Sequence, residues 1–256
     1  MKKFNKNFGF SLIELSVSLV IAGLLAAGIT GGMHLMQSAK LSKLISEVSG
    51  YSKAVENFRL KYNAWPGDMA NATSYWGTYN SSTNAEGTVN GNGNEQILGD
   101  ATESESLRAI QQLALSGMIS GRFSGVTAGT PTWQRDVNVP PTAFNDDSYY
   151  LMKYLSGIAS TSGNTLQLIT TSSTPAADGQ SLKPADVFAV DIKIDDGSTT
   201  TVAGMATGAS SGSIYAARGS QYVADNTKCI TAAGGANYIL TDDTISCRLI
   251  LWLSKD

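Results

Sequence analysis

Phe8-Gly9-Phe10-Ser11-Leu12-Ile13-Glu14-Leu15 opens the longest apolar run in the chain. Between Ser16 and Gln37 there is no Asp, Glu, Lys or Arg, and residues 17–29 are almost wholly apolar. About 20 such residues suffice for a helix to cross a bilayer, so this stretch predicts a membrane-spanning helix. Lys2, Lys3 and Lys6 precede it and no cation follows until Lys40. That asymmetry predicts a cytoplasmic N-terminus with the bulk of the chain on the other side.

A secretory signal peptide has the same basic start and apolar run, with Ala26, Ala27 and Gly28 as small residues for cleavage. Glu14 argues against it. A carboxylate costs up to about 3 kcal/mol at the bilayer centre and less toward the edge, and a disposable signal has no reason to keep that cost. An acid in this place either snorkels to the headgroups or meets a cationic partner.

The segment Gly9-Phe10-Ser11-Leu12-Ile13-Glu14-Leu15, behind its basic leader, resembles the class III signal of type IV pilins and pseudopilins. In that family prepilin peptidase cuts after the glycine and methylates the new N-terminal phenylalanine. The resemblance implies a cut between Gly9 and Phe10, and it matches Glu14 to the acid at the fifth mature position. Cleavage would leave an amine on Phe10 at the membrane edge, and Glu14 of a neighbouring subunit can neutralise it. The implied partners are prepilin peptidase, other pilin or pseudopilin subunits, the inner-membrane assembly platform and membrane lipid. The implied location is the inner membrane, single-pass with a periplasmic domain, and then the assembled pseudopilus or pilus.

Past the apolar run, Leu41, Leu44, Ile45, Val48, Tyr51, Val55, Phe58 and Tyr62 recur at three- and four-residue steps, one stripe of a helix. No proline interrupts residues 10–64, so one helix of about 80 Å is expected. Gly28, Gly31 and Gly32 are its weak point, since glycine costs about 1 kcal/mol in a helix interior. Asn63-Ala64-Trp65-Pro66-Gly67-Asp68 should end it in a turn. The polar stretch 78–93 reads as a surface loop. Residues 100–116 read as a helix with Asp100 as N-cap, Glu103 three residues on, and Leu107, Ile110 and Leu113 inward. A short helix is expected over 147–155. Strands are expected over 165–171, 187–194, 237–240 and 245–253, with Asp195-Asp196-Gly197 as a turn.

This order predicts an α+β fold, and the resemblance implies a pilin-like one: a long N-terminal helix packed on a C-terminal antiparallel sheet. The expected divisions are a leader at 1–9, an assembly helix at 10–36, its continuation at 37–63, and an extracytoplasmic α+β domain at 64–256.

Charged residues make up only 15% of the chain, below the usual ~25%. Small and polar residues fill the gap, which suits a turn-rich exported domain. Of 18 Lys and Arg, three fall in the first nine residues, leaving 15 against 21 acids. Such a domain repels phosphate backbones, which disfavours nucleic acid as a partner. Cys229 and Cys247 read as one disulfide closing a C-terminal loop, or as two buried thiols.

Enzyme chemistry finds little footing. Gly208-Ala209-Ser210-Ser211-Gly212 fits the GxSxG pattern, but the lone histidine, His34, lies on the long helix and leaves the serine no credible base. Asn90, Asn92 and Asn94 imitate the start of a calcium loop, but Glu95 and Ala101 stand where glycine and glutamate belong. No cofactor is expected. Calcium is the one exception the resemblance leaves open, with Asp195, Asp196, Asp225, Asp242 and Asp243 as candidate ligands.

The expected function is therefore that of a structural subunit, a type II secretion pseudopilin in preference to a type IV pilus subunit. The alternative from another class is a periplasmic binding module on an uncleaved anchor.

Overall fold

The computed structural model describes residues 11–82, 86–99, 105–127, 133–158, 161–170, 179–194, 201–202, 205–207, 214–218, 228–230 and 237–254. The chain divides into two units, residues 1–42 and 43–256. One helix, α1 (Leu12–Tyr62), contributes to both. It runs unbroken through Gly28, Gly31 and Gly32. It stops where the turn was expected. Asn63 takes a left-handed backbone (φ 49°) and its N–H bonds to the Arg59 carbonyl at 2.8 Å, a helix end that asparagine tolerates better than most residues.

In the second unit the predicted stripe faces inward. Leu44, Val48, Val55 and Phe58 are buried, while Tyr51 and Tyr62 are partly so. The Tyr51 ring lies 4.8 Å from that of Tyr150. Beside it, one carboxylate oxygen of Glu47 accepts from the Tyr150 hydroxyl (2.9 Å), the Thr142 hydroxyl (3.2 Å) and the Ala143 N–H (3.3 Å). Burial foremost, and then the Glu47 charge, push the Tyr51 hydroxyl far above its ordinary pKa. It stays a neutral packing group.

A single turn, α2 (Thr73–Trp76), follows, and then α3 (Glu105–Leu115), which buries Leu107, Ile110 and Leu113 as expected. Asp100 and Glu103 lie outside the described residues. Next come strands β1 (Ser148–Ile158) and β2 (Thr161–Thr170), helix α4 (Pro184–Ile194), and strands β3 (Thr201–Val202), β4 (Met205–Thr207), β5 (Ile214–Arg218), β6 (Asn237–Ile239) and β7 (Cys247–Trp252). The main sheet is antiparallel in the order β1-β2-β7-β5, and a smaller one runs β3-β4-β6. This is the expected α+β layout.

Register shows how the first half of β1 is covered on both faces. Tyr149 opposes Ile169, and Gln167 sits between Leu151 and Ile250. On that face Tyr149, Leu151 and Ile169 cluster with Leu107 of α3 and with Trp133 and Val139. The other face carries Tyr150, which opposes Leu168 and meets Tyr51 of α1. From Tyr149 to Met152 neither face of β1 is left to water.

Two sequence expectations are corrected. Residues 147–155 form a strand rather than a helix: Tyr149 through Met152 are all buried, as in a strand covered on both sides, and such a run has no period to betray it. Residues 187–194 belong to a helix rather than a strand. Pro184 stands at its first position, where a missing N–H costs nothing, and Val187, Val190 and Asp191 turn inward at helical spacing. The described residues of 78–93 form the expected loop, mostly exposed, with Gly87 and Thr88 tucked in. Tyr79 donates to Thr88 (2.8 Å) and Thr88 to Gly77 (2.9 Å), and Thr88 is buried.

Cys229 and Cys247 form a disulfide with Cα atoms 5.1 Å apart, and both residues are fully buried. It ties the segment before β6 to the first residue of β7. Closing a loop between residues 18 apart contributes roughly 3 kcal/mol, largely by restricting the unfolded chain. Replacing both cysteines by serine is expected to destabilise the protein by about that amount. Thermal unfolding of the two forms side by side checks this.

Candidate functional site

The stem of the first unit begins with the N–H of Leu15 donating to the Ser11 carbonyl at 3.0 Å. Glu14 sits in this first turn, where unpaired N–H groups favour a negative charge. The large apolar side chains beyond it are uncovered: Leu12 is 89% exposed, and Leu19 and Leu35 are each 75% exposed. The helix is long and apolar enough to cross a membrane, and its apolar stretch is not buried within the protein. A surface of that kind marks contact with lipid or with another chain.

Three of its hydroxyls bond to their own helix. The Ser16 hydroxyl donates to the Ile13 carbonyl, Ser18 to Glu14, and Thr30 to Ala27, at 2.8 to 3.0 Å. Such back-bonding lets hydroxyls sit in hydrocarbon without an unmet donor. Glu14 stands apart as a carboxylate at the start of an otherwise uncharged stem. Gly9 and Phe10 lie outside the described residues.

The other sequence candidates separate cleanly. His34 is an exposed residue of α1. The segment 208–212 and the residues Asp195, Asp196 and Asp225 lie outside the described residues. Asp243 accepts from the Lys183 ammonium at 2.7 Å, which pushes the lysine's pKa up. Asp242 accepts from the Thr244 hydroxyl and N–H, which hold its carboxyl below the ordinary range. These two acids already have partners. Among the described residues, no group of three or more His, Cys, Asp and Glu is placed to hold a metal ion.

The asparagines of the calcium-like loop are turned to a different use. Asn90 Oδ1 accepts from Thr73 N–H, Asn92 Oδ1 from Asn94 N–H, and Asn94 Oδ1 from Gln96 N–H. Their oxygens brace backbone instead of converging on a cation.

Two residues that the sequence reading passed over organise this segment. Asp68 is 3% exposed and takes the N–H groups of Gly93 (2.7 Å) and Asn94 (3.1 Å) on one oxygen and that of Glu95 (2.7 Å) on the other. Glu105, at the start of α3, takes those of Asn92 (3.2 Å) and Leu98 (2.8 Å). Burial raises the pKa of both carboxyls, partly offset by these bonds. Asn164 of β2 completes the set: its Oδ1 accepts from Ile97 N–H and its Nδ2 donates to the Glu95 carbonyl. With Gly91 N–H on the Met69 carbonyl, every N–H from 91 to 98 has an acceptor. Asp68 and Glu105 gave no distinctive signal, because any acid in a turn or a helix start looks alike before the fold brings N–H groups to it.

No curated protein and no solved structure matches the chain. Residues 4–30 match the family model described as the prokaryotic N-terminal methylation motif. Basic leader, Gly9-Phe10, Glu14 and the uncovered stem thus fall within or beside one recognised element, and the chain carries the prepilin-type signal of type IV pilins and pseudopilins.

Proposed function

We propose that the protein is a structural subunit of a type II secretion pseudopilus. The observation that carries this is the uncovered apolar stem joined to the methylation motif, with Glu14 in the stem's first turn. On this reading prepilin peptidase removes residues 1–9 and methylates Phe10. The subunit then waits in the inner membrane, with its second unit in the periplasm, until the assembly platform lifts it into the fibre. The Glu14 carboxylate of one subunit neutralises the Phe10 amine of a neighbour and sets the axial register. Residues 10–36 serve as stem and the α+β unit faces outward. The protein is not an enzyme.

The choice of pseudopilus over pilus leans on residues 62–77, which resemble the segment after the helix in some pseudopilin-like proteins. Trp65, Met69 and Ala72 of that block are buried. Deleting the gene is expected to leave secreted proteins trapped in the periplasm while surface fibres remain normal. Lost fibres or lost adhesion with normal secretion would assign the subunit to a pilus instead.

A further inference from the structure

Asn90-Gly91-Asn92-Gly93 sets two Asn-Gly pairs in succession, and they are the only two in the chain. Such pairs decay in an open chain, where asparagine is among the heat-labile residues. The backbone nitrogen of the glycine attacks the carbonyl carbon of the asparagine side chain, loses its proton to solvent and expels ammonia. Water then opens the succinimide and leaves aspartate or isoaspartate. Glycine is the fastest successor because no side chain shields its nitrogen.

The fold imposes both glycines. A Cβ on Gly91 would collide with the backbone of Gly67 and Asp68. Gly93 takes a left-handed backbone, with φ 72°. Packing and turn geometry thus fix two dipeptides that chemistry makes labile.

The groups that would react are all held. The Gly93 N–H, which would attack Asn92, donates to the Asp68 carbonyl (3.0 Å) and to its carboxylate (2.7 Å). A carboxylate is too weak a base to take an amide proton, and its charge disfavours the amide anion that the attack needs. The Gly91 N–H, which would attack Asn90, donates to the Met69 carbonyl at 2.9 Å. On the other side of the reaction, Asn92 Oδ1 accepts from Asn94 N–H (3.0 Å) and Asn90 Oδ1 from Thr73 N–H (2.8 Å). An aligned attack requires nitrogen and side chain to turn toward each other, and these bonds must break first. Burial is not the protection, since Asn90, Asn92 and Gly93 are all exposed. Water for the second step is therefore at hand as soon as the loop opens.

We infer that residues 90–93 are a latent self-modification site: hydrogen bonds with Asp68, Met69, Thr73 and Asn94 keep both pairs intact, and opening of the loop lets them react. Isoaspartate adds a methylene to the main chain, so the N–H groups beyond it no longer meet Asp68, Glu105 and Asn164. A loop that has opened and reacted does not close again. The inference does not depend on how the stem is used.

The test ages the full chain in detergent at mildly alkaline pH. Digestion at low pH and peptide mass spectrometry read deamidation at each pair, and circular dichroism shows which samples remain folded. In concentrated urea both pairs of the parent should react at least tenfold faster than in the folded parent, as expected when reaction follows the open population. Asp68→Ala should raise the folded-state rate at Asn92 at least tenfold. Asp68→Asn keeps an acceptor for Gly93 but not the charge, so it should raise that rate by a smaller factor, and it carries the test should Asp68→Ala not fold. Equal rates in the folded and the urea-held parent overturn the proposal. So does a rate at Asn92 that the folded Asp68 variants leave unchanged.

Discussion

Glu14→Ala is expected to be processed and inserted normally yet incorporated into fibres more than a hundredfold less well than the parent. The carboxylate stands alone in an uncharged stem whose hydroxyls are bonded to their own helix. In a fibre packed stem against stem, its proposed partner is the Phe10 amine left by leader removal. Deleting one member of a desolvated ion pair strands the other charge, at a cost of about 3 kcal/mol or more. Each 1.4 kcal/mol is a factor of ten in an equilibrium, which gives the hundredfold. Glu14→Gln separates charge from shape, because it keeps the size and a hydrogen-bonding group. Quantitative blotting of sheared fibres against membrane fractions reads both variants. Equal incorporation of Glu14→Ala would mean that the acid merely reaches the headgroups, as a simple anchor would allow.

The second large effect concerns Asp68. Asp68→Ala removes the acceptor for three N–H groups in a loop with no strand ladder to fall back on. At roughly 1 kcal/mol or more for each donor left unmet, a loss of about 3 kcal/mol is expected from chemical denaturation of the detergent-solubilised protein. Asp68→Asn should cost less, because its Oδ1 still accepts from Gly93 and Asn94 while its amide confronts Glu95 N–H.

The pH dependence has a definite sign. Burial raises the pKa of Asp68 and Glu105 in the folded protein, so the folded state binds these protons more tightly than the unfolded chain. The resulting stabilisation is fully present below the ordinary carboxylate value of about 4 and is lost as pH rises through the raised folded values. The stability gap between the parent and Asp68→Asn should therefore widen as pH falls from 7.5 toward 5. A gap that narrows toward acid would mean that the N–H bonds outweigh burial and hold the group ionised.

The sequence made some of this legible and hid the rest for physical reasons. The stem could be read because charge and hydropathy act locally: the lysines, the uncharged run and Glu14 mean the same in any fold. The stripe from Leu44 to Phe58 could be read because one side faces inward and the other faces water. Tyr149 to Met152 could not, since a strand covered on both faces has no polar side to show its period. Residues 187–194 alternate well enough to pass as a strand, and the signal against it was Pro184 with Asp186 just beyond, which favours a helix start. The braced loop was the least legible feature. Its asparagines look like cation ligands, and only the fold shows that N–H groups use their oxygens.

The most direct test of the central claim is the mass of the mature N-terminus, taken from cells with and without prepilin peptidase. The account predicts a chain that begins at N-methylated Phe10 when the peptidase is present and at Met1 when it is absent. A chain that begins near Gly28, or at Met1 in both strains, would contradict it and leave a secreted or simply anchored domain.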